Sequence, residues 1–498
     1  MQKMKAPFYP IIYVRGYAMT QSEIDDTVST PYMGFNLGAT KIRQNWDGSV
    51  RRHIFESPLI RLMKDYGYED NYALGHEKDQ KLSAKSVIIY RYYEEADSEI
   101  GSSGKAPSIE KAAKGLSKLI LNVRDRVCQD DINARKNFKV YLVAHSMGGL
   151  VCRAFLQNNK IGSDQSKALV DKVFTYATPH NGIDMAGFNT PKFLSLWDIN
   201  NFSRKNMAQY LGLKGHPSRV DTLDGHFNPN RFFTLVGTNH KDYDVAGGLS
   251  SKLAGEMSDG LVKITNAVIK GAPRAYIHKS HSGHYGIVNS EEGYQNLVRF
   301  LFGDYRVDGF IEVEDLPLPP SIRKAKKKGK KIRASYYFES TLSPRGAVTY
   351  ILTERRKETF SAVLRDFDEL LRIEKIKGLN KARSPYMFSA FLDSKQITKG
   401  RSLVVSIDLA VSATEYEIDG FLFFDTKIPG EYLFRDTVVV KITPKNGSFK
   451  MAYSLSDERW GESAKKEMPN DAQGYYIPLH SKKGFKAKLR LVLQQWNR

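Results

Sequence analysis

The sequence predicts two domains of different class, an α/β domain followed by an all-β domain. From the start to about residue 305, short apolar strands alternate with amphipathic helices, an order typical of a parallel sheet covered by helices on both faces. Beyond residue 333 the hydrophobic pattern changes to a period of two, which indicates strands packed as a β-sandwich. A chain of 498 residues is also too long for one ordinary core.

The elements of the first domain follow in the order strand, helix, strand. Strands are expected at Ile11 to Val14, Ser86 to Tyr92, Val140 to Val143, Val173 to Ala177, Phe232 to Val236 and Ala275 to His278. Helices are expected at Pro58 to Tyr66, at Ser108 to Cys128 and after Met147. In the second helix the apolar residues share one face, and Ser108 has the residue type and position of an N-cap.

A long apolar connection, at about 181–230, interrupts this domain and predicts a partly helical cap over the carboxyl edge of the sheet. Its large apolar residues are Met185, Phe188, Phe193, Leu194, Leu196, Trp197, Phe202, Met207 and Leu211. The sequence leaves open whether these side chains line a substrate site or form a core of the cap itself.

The stretch PLPPSIRKAKKKGKKIR at 317–333 has the composition of a basic linker. It therefore predicts a first domain at 1–316 and a β-sandwich at 334–498. Strands are expected at Ala334 to Leu342 and Ala347 to Glu354, and alternating patterns follow around Val405 to Val411 and Phe485 to Leu493. The segment Lys357 to Ile376 fits a helix as well as a strand.

The formal charge of +20 is concentrated in part at Arg323 to Arg333, which supplies eight positive side chains. Such a block either binds anionic surfaces, such as a membrane, nucleic acid or cell wall, or remains a solvated linker.

No apolar run reaches the roughly 18 residues of a membrane span, and the N-terminus lacks the features of a signal peptide. Cys128 and Cys152, both on predicted helices, favour a reducing compartment. We therefore expect a cytoplasmic protein, with peripheral membrane association as an alternative.

The stretch FKVYLVAHSMGGL, Phe138 to Leu150, joins a buried strand to a helix through a sharp turn at Ser146. A serine hydroxyl becomes a good nucleophile when it is held exposed beside a base and near N–H groups that bind an oxyanion. Small neighbours, Ala144 and Gly148, permit that turn. The stretch resembles the nucleophile elbow of α/β-hydrolases, with Ala144 in place of the common glycine, as in a subset of bacterial lipases.

The resemblance implies an acid and a histidine after the serine, in that order along the chain. Asp259, in Ser-Asp-Gly-Leu-Val, is similar to the acid loop of bacterial lipases, although an N-cap before Leu261 to Ile269 would also explain it. Asp242 and Asp244 are the alternatives. For the base, His284 resembles the closing histidine of these enzymes, and His281 is the alternative. His145 and His180 are interpreted as hydrogen-bonded packing residues.

The resemblance also implies an oxyanion hole formed by two backbone N–H groups. Met147, the residue after the serine, is the first donor, and Tyr17, after the first strand, is the second. Arg15 stands where these lipases have histidine. The string Ala177-Thr178-Pro179-His180 resembles a stretch that follows the sixth strand in many lipases.

The resemblance implies a serine carboxylic-ester hydrolase, a lipase or phospholipase, that acts on an ester or lipid without metal or organic cofactor. The alternatives are a thioesterase or acyltransferase with the same triad, and a non-catalytic surface-binding protein with a vestigial one. Arg323 to Arg333 is the predicted contact to an anionic membrane. A nucleic-acid partner is not expected, because no cluster of aromatic residues accompanies the basic block.

Overall fold

The structure is a computed structural model. It describes residues 5–16, 39–44, 50–55, 58–71, 81–90, 92, 107–183, 202–215, 217–242, 257–282, 286–345, 350–371, 375–376, 379–380, 384–397, 402–418, 426–445, 448–456 and 466–497. The chain divides into two compact units, residues 1–274 with 278–302, and residues 303–498 with 275–277. Within the described ranges, no helix combines the length and apolar character that a bilayer crossing requires.

A parallel sheet is the framework of the first unit. The strands up to residue 277 are β1 (Ile11–Val14), β2 (Ala39–Gln44), β3 (Val50–Phe55), β4 (Glu69–Asn71), β5 (Ser86–Tyr90), β6 (Val140–His145), β7 (Val170–Tyr176), β8 (Phe232–Gly237) and β9 (Arg274–Ile277). Strands β2 and β3 form a separate hairpin, and residues 275–277 of β9 are counted with the second unit. The sheet has the order β4-β5-β1-β6-β7-β8-β9, and every pairing from β4 across to β8 is parallel. The predicted α/β class of this unit is confirmed.

Apolar residues explain why β1 and β6 lie at the centre of this sheet. Every residue of β1 and β6 is buried, which suits strands that are covered on both faces. In the register of the two strands, Val14 lies opposite Ala144. The carboxyl ends of β1 and β6 therefore meet beside Ser146.

The helices of the first unit are α1 (Pro58–Tyr66), α2 (Ile109–Cys128), α3 (Ile132–Asn137), α4 (Met147–Gln157), α5 (Asp164–Ala168), α6 (Arg204–Leu211) and α7 (Glu291–Phe302). The predicted start of α2 is confirmed, because the Ser108 side chain accepts a hydrogen bond from the N–H of Lys111 at 3.2 Å. Cys128 and Cys152 are both buried and free.

The predicted cap, about 181–230, is described at 181–183, 202–215 and 217–230. It contains α6, and Phe202, Met207 and Leu211 are buried. In this part of the cap the apolar side chains therefore pack inside the protein. The other predicted cap residues, Met185, Phe188, Phe193, Leu194, Leu196 and Trp197, lie outside the described residues.

The second unit consists of antiparallel strands, as predicted. Its strands are β10 (Tyr305–Asp315), β11 (Ile332–Arg333), β12 (Ser335–Pro344), β13 (Thr353–Arg355), β14 (Val363–Asp366), β15 (Lys375–Ile376), β16 (Leu379–Asn380), β17 (Tyr386–Leu392), β18 (Leu403–Ala413), β19 (Tyr416–Ile418), β20 (Thr426–Ile428), β21 (Tyr432–Lys445), β22 (Ser448–Ser454), β23 (Lys466–Glu467), β24 (Asn470–Asp471), β25 (Gly474–His480) and β26 (Lys486–Gln495). One sheet has the order β17-β10-β26-β25-β24, and a second runs β13-β12-β18-β21-β22-β23 with β14 paired to β12. Their buried apolar residues form one shared core, for example Ile311 and Leu489 with Leu409 and Val438.

The predicted domain boundaries require correction. Strand β10 lies in the predicted first domain (1–316), yet it pairs with β17 and β26 of the second unit. The second unit therefore begins at Gly303. The predicted linker, 317–333, is also part of this unit: it forms helix α8 (Pro320–Lys327) and strand β11. The segment Lys357 to Ile376 contains both kinds of element, β14, helix α9 (Phe367–Leu371) and β15.

Candidate active site

Ser146 lies at the turn between β6 and α4 with φ 52° and ψ −126°. Few side chains adopt this conformation, and it persists only where the surroundings fix it. Here the N–H of Ser146 donates to the carbonyl of Tyr176 at 2.9 Å. Its own carbonyl accepts from the Thr178 hydroxyl at 2.8 Å and from the N–H of Gly149 at 3.1 Å. The strained turn is therefore held by hydrogen bonds on both of its peptide groups.

Two glycines let the backbone of β1 approach this turn. A Cβ on Gly148 would lie 2.1 Å from the carbonyl oxygen of Val14, and one on Gly16 would lie 2.4 Å from the Cβ of Ser146. Both distances are shorter than any real contact. The sequence predicted a small residue at 148 from the turn itself. The physical cause is the backbone of the neighbouring strand, which leaves no room for a Cβ at this position.

An imidazole and a carboxylate complete the arrangement around Ser146. The Nε2 of His281 lies 2.9 Å from the Oγ of Ser146, and its Nδ1 lies 2.9 Å from the Oδ2 of Asp259. Because a carboxylate only accepts, Nδ1 carries the proton, and Nε2 is left to accept from the serine hydroxyl. His281 and Asp259 are buried at 3% and 1% exposure, whereas Ser146 is half-buried. The two inner groups are therefore shielded from water, and the hydroxyl lies nearest the surface.

The structure brings His281, the alternative base from the sequence, to both Ser146 and Asp259. His284, the preferred base from the sequence, lies outside the described residues. The loop that carries His281 closes on itself, because the N–H of Ile287 donates to the carbonyl of Ser280 at 2.9 Å.

Asp259 is fixed by its own turn as well as by the imidazole. Its Oδ1 accepts from the N–H groups of Leu261 at 3.1 Å and Val262 at 2.7 Å. The capping role and the contact to histidine, both derived from the sequence, therefore coexist, although a single 3₁₀ turn at Ile264–Asn266 takes the place of the expected helix. Of the rival acids, Asp242 accepts from Asn239, and Asp244 lies outside the described residues.

His145, which the sequence indicated as a packing residue, is also hydrogen bonded to the backbone of the candidate site. Its Nε2 lies 2.9 Å from the backbone carbonyl of His281, and since a carbonyl only accepts, Nε2 must donate. Burial lowers the pKa of His145 well below its usual value, and the neighbouring His281 lowers it further. The ring is therefore neutral and holds the backbone of His281. His180 is a buried packing residue, and its Nε2 lies 3.0 Å from the Thr175 hydroxyl.

Of the two predicted oxyanion donors, Met147 is described and Tyr17 lies outside the described residues. Met147 is the first residue of α4, where backbone N–H groups have no acceptor within the helix. The partial positive charge of a helix N-terminus also favours a developing oxyanion. The role of Met147 as an oxyanion donor stays a prediction.

Arg153 is a fully buried residue of α4 that the sequence analysis did not single out. Its guanidinium donates to the carbonyls of His180 at 2.7 Å, Val220 at 2.6 Å and Thr222 at 2.8 Å. Burial lowers its pKa to about 10, so it remains charged at neutral pH. It ties the helix after Ser146 to the described part of the cap. The only signal in the sequence is one basic residue in the otherwise uncharged stretch VCRAFLQ.

Comparisons with known proteins give a family match and several similar solved structures. Residues 79–211 match the family model of the PGAP1-like alpha/beta domain, a segment that includes β5, β6, α4 and Ser146. No curated protein matches the chain. Among solved structures, phospholipase PlaB from Legionella pneumophila is similar at 12% identity and a TM-score of 0.33, over 80% of this chain and 86% of that one. A protein assigned as a cell surface hydrolase of Lactobacillus plantarum WCFS1 is similar at 12% identity and a TM-score of 0.24, over 59% and 91%.

The predicted resemblance is thus confirmed at the level of the domain. The parallel sheet, the serine at the strand–helix turn and the matching family model agree with one another. Residues 79–211 thus form a PGAP1-like alpha/beta domain within a chain whose parallel sheet has the α/β-hydrolase arrangement.

Proposed function

We propose that the protein is a serine carboxylic-ester hydrolase, a lipase or phospholipase, in which Ser146, His281 and Asp259 act as the triad. The observation that carries the proposal is the unbroken series of hydrogen bonds from the Ser146 hydroxyl through His281 to Asp259. A nucleophile beside a base, with the base oriented by a third group, is the arrangement that acyl transfer through serine requires.

In this mechanism the Oγ of Ser146 attacks the ester carbonyl while Nε2 of His281 takes its proton. The tetrahedral oxyanion is stabilised by the N–H groups of Met147 and Tyr17. His281 then returns the proton to the leaving alcohol, and the acyl group remains on Ser146. Water, activated by the same imidazole, releases the carboxylic acid and restores the enzyme. Asp259 keeps the ring in the required tautomer and stabilises its charged form.

Lipid esters are the proposed substrates because the strings around Ser146 and Asp259 resemble those of bacterial lipases and because the predicted cap, at about 181–230, is rich in apolar residues. A panel of p-nitrophenyl esters of increasing chain length, followed by phospholipid classes, measures this preference. Turnover that is confined to short soluble esters would contradict the lipid part and leave the triad intact. Transfer to an added alcohol or thiol in place of water would indicate the acyltransferase alternative.

Paired variants test the triad. Ser146→Ala and His281→Gln should each lower kcat on a p-nitrophenyl ester by about 10⁴- to 10⁶-fold, because the three groups act as a unit. His284→Gln is the matched control and should retain most of the activity. A fluorophosphonate probe should label wild-type Ser146 and fail to label the His281→Gln protein. If His284→Gln is the inactive variant, the assignment of the base is wrong.

A further inference from the structure

The basic block of the second unit is held on the protein surface by its own apolar residues. Ile322 and Ala325, three residues apart on α8, are buried in the core of this unit, and Ile332 of β11 is buried as well. Side chains at this spacing share one face of a helix. The intervening positive residues are therefore anchored by the fold.

These positive side chains form what we call the basic surface. Its seven members are exposed: Arg323, Lys324, Lys326, Lys327, Lys328, Lys330 and Lys331. Lys326 lies over the ring of Phe367 at 5.8 Å from its centroid. None of the seven forms an ion pair with another residue in the ranges that the structure describes, and residues 316–338 contain no aspartate or glutamate. The exposed Arg333, by contrast, pairs with Glu417 at 3.1 Å.

Like charges lie close together at the end of α8. Lys324 and Lys327 of its last turn are three residues apart, and Lys328 follows as the C-cap, so their side chains repel one another. A negative surface in contact with the block would remove that repulsion. Charge complementarity thus indicates an anionic partner.

We propose that the basic surface docks the second unit onto anionic lipid. Six of its seven members are lysines, which act as compact point charges and lack the planar guanidinium that reads bases in pairs. Residues 320–333 also contain no aromatic side chain on which a base could stack. A lipid surface therefore fits better than nucleic acid. The choice rests in part on the proposed lipid-ester hydrolysis.

The test measures binding of the full chain to vesicles of phosphatidylcholine, with and without about 30% phosphatidylglycerol. The proteins carry Ser146→Ala so that the lipid is not hydrolysed. The test variant has Lys324, Lys327, Lys328 and Lys330 changed to glutamine, a good helix former. The matched control changes Lys445, Lys450, Lys482 and Lys486 to glutamine, which removes the same charge from other exposed positions of the second unit.

The parent protein should bind the anionic vesicles and not the neutral ones. The test variant should bind at least about 100-fold more weakly, because each lysine near an anionic surface contributes about fivefold. The control variant should stay within about threefold of the parent. Equal losses in both variants, no binding by the parent, or binding of duplex DNA in place of vesicles would each overturn the proposal.

Soluble-ester turnover separates this proposal from the proposed function. The same two sets of lysine changes, made with Ser146 intact, should leave hydrolysis of a short p-nitrophenyl ester unchanged. Vesicle binding without ester turnover would contradict the proposed function alone. Turnover without selective vesicle binding would contradict the docking surface alone.

Discussion

At the scale of single residues, His145 fixes the position of the proposed base. It donates to the backbone carbonyl of His281, and the N–H of His281 donates to the carbonyl of Asp259 at 2.9 Å. Both peptide groups of the base are therefore anchored. Because a displacement of about 1 Å can cost about 100-fold in rate, His145 should act as a positioning residue whose removal weakens catalysis without changing the chemistry.

We expect His145→Leu to lower kcat about 10- to 100-fold, with a smaller loss for His145→Gln, whose amide can still donate. The pH profile of kcat should keep its shape in both variants, since the neutral ring of His145 passes no proton. Equal loss in the two variants would contradict the role of the hydrogen bond. A profile that loses its basic limb would instead indicate that His145 takes part in proton transfer.

The choice between His281 and His284 shows where sequence reasoning reaches its limit at this scale. Ser146 and Asp259 could be proposed from the sequence because each follows a strand and is surrounded by characteristic small or apolar residues. The two histidines are three residues apart in one loop, and both follow β9. The placement of His281 depends on contacts with Asp259 and His145, which are 22 and 136 residues away in the sequence. No local pattern encodes those contacts.

At the scale of elements, Arg153 joins α4 to segments near His180, Val220 and Thr222. Replacing Arg153 with methionine keeps most of its volume but leaves three carbonyls without this donor. We expect a loss of about 3 to 5 kcal/mol in the free energy of unfolding of the first unit. Chemical denaturation measures the change.

Lys118→Met is the matched control, because Lys118 is exposed on α2. It should change stability by no more than about 0.5 kcal/mol. If the Arg153 variant unfolds at the same denaturant concentration as the Lys118 variant, the buried guanidinium does not stabilise the joint between α4 and the cap.

Periodicity was sufficient to predict most elements of the first unit, because buried parallel strands and amphipathic helices have distinct patterns. It failed for the block at 317–333, where lysine composition outweighed three well-spaced apolar residues, Ile322, Ala325 and Ile332. It also failed for β10, whose partners β17 and β26 are far away in sequence. The boundary between the units is determined by the pairing of strands that are distant in sequence. Amino-acid composition does not predict that pairing.

At the scale of the whole molecule, histidines are distributed very unequally. Ten of the eleven lie in residues 1–302, and only His480, which is exposed, lies in residues 303–498. Burial lowers the pKa of both His145 and His180 well below the usual value. In the second unit, burial instead raises the pKa of the Glu339 carboxyl. The two units should therefore respond to acid in different ways.

Proton binding by the folded and unfolded states determines whether stability rises or falls with pH. Below about pH 6.5 the unfolded first unit binds protons at His145 and His180 that the folded unit does not bind, so its stability is complete above that pH and falls as the pH is lowered. Two such groups give a slope of up to about 2.7 kcal/mol per pH unit. The raised pKa of Glu339 has the opposite consequence, because the folded second unit then binds the proton more readily.

We expect the first unit to lose stability between pH 7 and about pH 5.5, a range above the usual pKa of carboxyl groups, while the second unit does not. Hydrogen exchange under mild denaturant reports each unit through its own peptides, so the two responses can be separated. His180→Gln should reduce the slope of the first unit, whereas His226→Gln, at an exposed position, should leave it unchanged. A parallel loss in both units, or the same slope in the two variants, would show that buried neutral histidines do not control the acid response.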